Sequence, residues 1–133
     1  MLHASECWPL KSEDLARLQR NERAMLRWIL NFRLQDHTSS LVLYNMLNIP
    51  PLEVSLSVHR LRWFGHTERS DRWINKIRHL EVEGAVGKGR PVKRWSDAIK
   101  TDLKKWNLYD VDPHDRAKWR GAVKDIMKNS NPS

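Results

Sequence analysis

The eight residues His59-Arg60-Leu61-Arg62-Trp63-Phe64-Gly65-His66 hold two arginines, two large aromatic rings and two histidines. A second stretch of similar make-up follows at Gly87-Lys88-Gly89-Arg90-Pro91-Val92-Lys93-Arg94-Trp95. Cations long enough to reach phosphates, set among rings that can stack on bases, are what binding to a single-stranded nucleic acid requires. Arg60, Arg62, Lys88, Arg90, Lys93 and Arg94 are the candidate phosphate contacts, and Trp63 and His66 the candidate stacking rings. Gly89 removes a side chain where the backbone beside Arg90 would approach a phosphate. Trp63 and Phe64 suit a hydrophobic core equally well, with the arginines on a solvated face. The residues alone leave both readings open.

The charge is focused on these stretches. Residues 60–78 carry six basic side chains against Glu68 and Asp71, and residues 84–105 carry seven against Asp97 and Asp102. The whole chain of 133 residues has a net charge of +8 and an isoelectric point near 10.0. Such a balance favours a polyanionic partner, RNA or DNA. A membrane partner is not expected, because no apolar run approaches the roughly 20 residues that span a bilayer. No signal peptide is recognisable at the N-terminus, and one cysteine, Cys7, rules out a disulfide within the chain. A reducing, intracellular setting, cytoplasmic or nuclear, fits.

Catalytic patterns are not found. There is no glycine-rich nucleotide loop, no paired-histidine zinc helix and no serine elbow. Two-metal polymerase chemistry needs aspartates close together on strands or hairpins. Here Asp110 and Asp112 stand two apart, but Pro113 makes that pair a helix start. The six histidines show no i, i+4 pairing, and four zinc ligands cannot be assembled with a single thiol. The chain therefore reads as a non-enzyme with neither cofactor nor metal.

The elements that must position the basic residues read as helices. Ser12 is placed to cap a helix over about 13–32, with Glu13 and Asp14 in its first turn. One face of it carries Arg17, Arg20, Arg23 and Arg27, a solvated stripe paired locally with Glu13 and Glu22. Thr38 or Ser39 caps a short helix with Leu41, Tyr44 and Leu47 inward, broken by Asn48-Ile49-Pro50-Pro51. Pro51 then starts a helix that runs to about Phe64, where Gly65 ends it in a left-handed cap. His79 to Glu83 alternates as a short strand would, and 84–91 is a mobile basic loop rich in glycine. A helix from Pro91 or Val92 to Trp106 turns Trp95, Ile99, Leu103 and Trp106 to one side. The last helix has Asp112 as cap, Pro113 as first residue and Asp115 in its first turn, and the tail 129–133 frays. The expected fold is mainly α: one small bundle of four to five helices, with room for one short strand pair and a Gly/Arg-rich loop. Within that single unit the segments are 1–50, 51–83, 84–91, 92–128 and the tail.

From Ser5-Glu6-Cys7-Trp8 to Asp115-Arg116-Ala117-Lys118-Trp119-Arg120 the chain resembles the region after the polymerase core in non-LTR (LINE-type) retrotransposon reverse transcriptases. The shared landmarks are Arg20-Asn21-Glu22-Arg23-Ala24-Met25, Arg27-Trp28-Ile29, Arg60 to His66, Val82-Glu83-Gly84, Gly89-Arg90-Pro91 with Trp95, and Asp102-Leu103-Lys104. The resemblance implies a C-terminal remnant without the fingers, the palm and the Tyr-x-Asp-Asp motif. Such a remnant would hold template RNA or target DNA for a polymerase core acting in trans. It implies two alternatives as well: a helical module that packed on the polymerase thumb, or a decayed fragment without function. The family supplies no catalytic residue in this segment.

Overall fold

A computed structural model describes residues 5–70, 89 and 93–130. After a short 3-10 turn at Ser5–Cys7, the described residues form five helices: α1 (Ser12–Ile29), α2 (Ser40–Leu47), α3 (Leu52–Glu68), α4 (Trp95–Lys105) and α5 (Arg116–Ser130). A second 3-10 turn, Leu34–Asp36, joins α1 to α2. Among the described residues there is no strand, and the mainly helical bundle is as the periodicity predicts. The strand expected at 79–83 lies outside the described residues, as does the basic loop 84–91 apart from Gly89.

α3 is the axis of the bundle. It is apolar on several sides, with Leu52, Val54, Leu56, Val58 and Leu61 all buried, and a helix of that kind belongs in the middle of others. α5, α4, the Ser5–Cys7 turn and α1 all pack on it, while α2 packs on α1. The main core joins Val54, Val58 and Leu61 of α3 to Trp119, Val123 and Ile126 of α5, with Leu108 between. A second, smaller cluster holds Leu26 of α1 against Leu43 and Tyr44 of α2. There the Tyr44 hydroxyl donates to a Glu22 carboxylate oxygen at 2.7 Å. Burial raises the Glu22 carboxyl above its ordinary range, although the bond from Tyr44 works against that.

Several boundaries differ from the sequence expectation, each for a local reason. Lys11 is the extended residue before α1, so Ser12 is helical and does not cap. Ser39 caps α2 as expected, its Oγ accepting from the Val42 N–H at 3.4 Å, and Asn48 closes the helix in the left-handed region at φ 50°. Leu41 is exposed and Leu43 takes the inward place beside Tyr44. Pro51 stands before the first residue of α3 rather than in it. Gly65 does not end α3, which continues through it to Glu68. Asp112 does not cap α5 either. Its carboxylate accepts from the His114 N–H in a preceding turn, and Asp115 accepts from the N–H groups of Ala117 and Lys118 at the helix start. Pro113 is therefore outside the helix, whereas Asn129 and Ser130 are inside it. The described part of α4 begins at Trp95, with Pro91 and Val92 outside the described residues.

Candidate nucleic-acid interface

The six described candidates fall on different surfaces. Arg60 turns inward. Its Nε donates to Asp102 Oδ2 at 2.7 Å and its Nη2 to Oδ1 at 3.2 Å, and the Ser57 hydroxyl donates to the same Oδ1 at 3.0 Å. The two side chains are only 12% and 6% exposed. This two-pronged pair ties α3 to α4, and its positive charge is matched by the carboxylate it holds. Arg60 thus acts as a strut between α3 and α4.

Arg62, Trp63 and His66 turn outward. Arg62 and His66 are exposed one turn apart, and Trp63 is half-buried. The rings of Trp63 and His66 lie 5.3 Å apart at 36°. Phe64 is the residue that packs on the core, with its ring 5.7 Å from that of Trp119 and 6.5 Å from that of Trp95. The ambiguity of the Trp63-Phe64 pair is thereby divided: Phe64 faces in and Trp63 faces His66.

Lys93 and Arg94 are exposed at the entry to α4. Lys93 Nζ donates to the Leu10 carbonyl at 3.1 Å, and the Arg94 backbone N–H donates to the Asp97 carboxylate at 2.9 Å. Lys93 lines a small cleft with Leu10, Leu15 and Arg60, whereas Arg62 lines a different one. Lys88 and Arg90 lie outside the described residues. The arginine stripe of α1 is solvated at Arg17 and Arg20, as expected, but Arg23 Nε donates to the Gln19 carbonyl at 3.2 Å and Glu22 serves Tyr44 instead.

The cleft that Arg62 lines gathers five basic side chains among the described residues. It is a groove of about 780 Å³ between the end of α3 and the first half of α5. Arg62 and Arg69 form one wall, and Arg116, Arg120 and Lys124 the other. The latter three stand at i, i+4 and i+8, so they make one ladder along α5. Among the described residues, no carboxylate lines the groove. Its floor is Trp119 and Val123, both buried. The Trp119 indole donates from Nε1 to the Leu61 carbonyl at 3.0 Å, and it lies against the bare backbone of Gly65. Arg69 is steadied by donating from Nη1 to the Pro113 carbonyl at 2.6 Å. The ladder Arg116, Arg120, Lys124 has a spacing legible in the sequence. Its apposition to α3 is tertiary and is not.

Among the described residues, no three or more histidine, cysteine, aspartate or glutamate side chains gather to hold a metal ion. Nor is any of the described helices long and apolar enough to cross a membrane. Comparison with protein-family models, with curated proteins and with solved structures found no match.

Proposed function

We propose that this chain binds nucleic acid through the α3–α5 groove, as the non-catalytic C-terminal part of a non-LTR retroelement reverse transcriptase. The observation that carries the binding is the set of five cations facing one cleft, with no carboxylate among its described lining residues. Like charges brought together raise the local potential, and a polyanion that fills the space relieves it and releases its own counterions. The retroelement origin rests on the ordered landmarks from Arg20 to Arg120. Template RNA and target DNA both carry the backbone that such a groove would hold.

The test is binding of fluorescently labelled RNA and DNA across a salt series. Replacing Arg116 and Arg120 together by alanine should lower the slope of log affinity against log salt by about 1.4 for a single strand, at roughly 0.7 per lost contact. Different sequences should weaken about equally. The Arg17→Ala, Arg20→Ala pair on α1 serves as control. An unchanged slope in the groove variant, with its circular dichroism intact, would overturn the proposal. Magnesium-dependent primer extension by the purified chain, above a mock preparation, would overturn the non-catalytic part.

A second reading has its own observation. Met25, Trp28, Ile29, Leu34, Leu41, Val42 and Met46 are all exposed, Trp28 to 84%, and all lie between residues 25 and 46. That concentration suits a face that packs on another protein, such as a polymerase core in trans. Sedimentation of the chain alone and mixed with such a core reads this out.

A further inference from the structure

We infer that the groove takes one unpaired strand, with its phosphates on the α5 ladder and one of its bases stacked on the Trp63–His66 pair. This rests on the nucleic-acid reading above and narrows it to a substrate class. Arg116, Arg120 and Lys124 climb α5 at about 6 Å per step of four residues. That is the order of the spacing between neighbouring phosphates along one strand, so a strand lying along the helix meets a cation at each phosphate. The opposite wall, Arg62 and Arg69, encloses the strand in place of leaving it on a convex surface. A volume of about 780 Å³ is that of a small-ligand cleft, in the range of roughly 300–1,000 Å³, and a duplex is far too wide to enter it.

The stacking rings stand beside the same wall. Arg62 and His66 are at i and i+4 on α3, hence on one face of the helix, and Arg69 follows directly after its last residue. Trp63 adjoins Arg62 in the chain, and its ring lies 5.3 Å from that of His66. Trp63 is partly exposed and His66 is exposed. A strand held at Arg62 can therefore turn a base onto these rings, provided that base is not paired. Stacking of this kind tolerates any base, because every base has a π face.

The experiment compares three ligands of equal length on the whole chain: a single-stranded oligothymidine, the same strand with abasic sites throughout, and an A·T duplex. The single strand should bind at least ten-fold more tightly than either of the others. Trp63→Ala should bring the single strand down to the affinity of the abasic strand and leave the abasic strand unchanged, while Trp63→Phe retains most of the difference. Arg116→Ala with Arg120→Ala should weaken all three. Equal binding of the three ligands by the unaltered protein would overturn the stacking proposal and leave the groove reading standing. Because that comparison needs no variant, it holds even if Trp63→Ala fails to fold. Absence of binding, or indifference to the arginine pair in a folded variant, would instead remove the nucleic-acid reading and this inference with it.

Discussion

Gly65 and Gly121 both sit inside helices, yet alanine at the two positions should have opposite effects. Alanine is favoured over glycine in a helix interior by about 1 kcal/mol. At Gly121 a Cβ would meet nothing within 4 Å, so Gly121→Ala should gain about that amount. At Gly65 a Cβ would collide with Nε1 and Cδ1 of Trp119. That indole is 3% exposed and tethered to the Leu61 carbonyl, so it has little freedom to move aside. Overpacking costs about 1–3 kcal/mol and outweighs the helix preference, so Gly65→Ala should lower the urea midpoint. A neutral or stabilising Gly65→Ala would mean that the indole packs less tightly than the structure has it. Asp102→Ala should be harsher still. It would leave Arg60 and the buried Ser57 hydroxyl without their shared acceptor, a loss of about 2–4 kcal/mol measurable by the same denaturation. Arg60 looks like any other exposed cation in the sequence, because its partner stands 42 residues further on.

At the scale of elements, what was legible is what depends on neighbours in the chain. The period of α1, the Ser39 cap and the Asn48-Ile49-Pro50-Pro51 break are all local, and all are found. Gly65 differs from expectation because its local meaning, a helix end, competes with a tertiary one, room for Trp119. Leu41 and Leu43 were exchanged because an eight-residue helix offers too few turns to fix its inward face. Of the candidate site, Arg62, Trp63 and His66 are together on the outer side of α3, whereas the ladder on α5 is not among the candidates that the sequence singles out. The start of α5 carries a testable consequence. Asp115 has its carboxyl lowered below the ordinary range, first by the backbone N–H of Lys118 and then by that side chain. A depressed carboxyl contributes stability above the ordinary carboxylate range, and that contribution is lost as the pH falls through the folded-state value. Asp115→Asn keeps an oxygen for the N–H groups but not the charge. Its melting temperature should lie below that of the unaltered protein near neutral pH, and the gap should close at a pH below about 4. A gap that stayed constant into acid would show that the charge of Asp115 does not act on the helix.

At the scale of the whole molecule, the two hydrophobic clusters share no buried residue. Leu26, Leu43 and Tyr44 hold α2 to α1, while Val54, Val58, Leu61, Trp119, Val123 and Ile126 hold α3 to α5. A side-chain bond between them, Gln19 Nε2 to Glu53 Oε1 at 2.7 Å, is polar and only partly buried. A bond to a partly exposed carboxylate contributes roughly 1–2 kcal/mol net, no more than the burial of one leucine. The α1–α2 end is therefore expected to open without the rest, at a lower free energy than global unfolding. Leu26→Ala should remove about 2–5 kcal/mol from the smaller cluster. In native-state hydrogen exchange, the amides of α1 and α2 should lose protection by that amount, while those of α3 and α5 keep theirs. Leu61→Ala, a residue with 0% exposure at the centre of the larger cluster, should lower protection in every helix, because the α3–α5 core is the last to open. If Leu26→Ala instead lowered protection equally in all the described helices, the bundle would be one cooperative unit, and the small cluster would have no stability of its own.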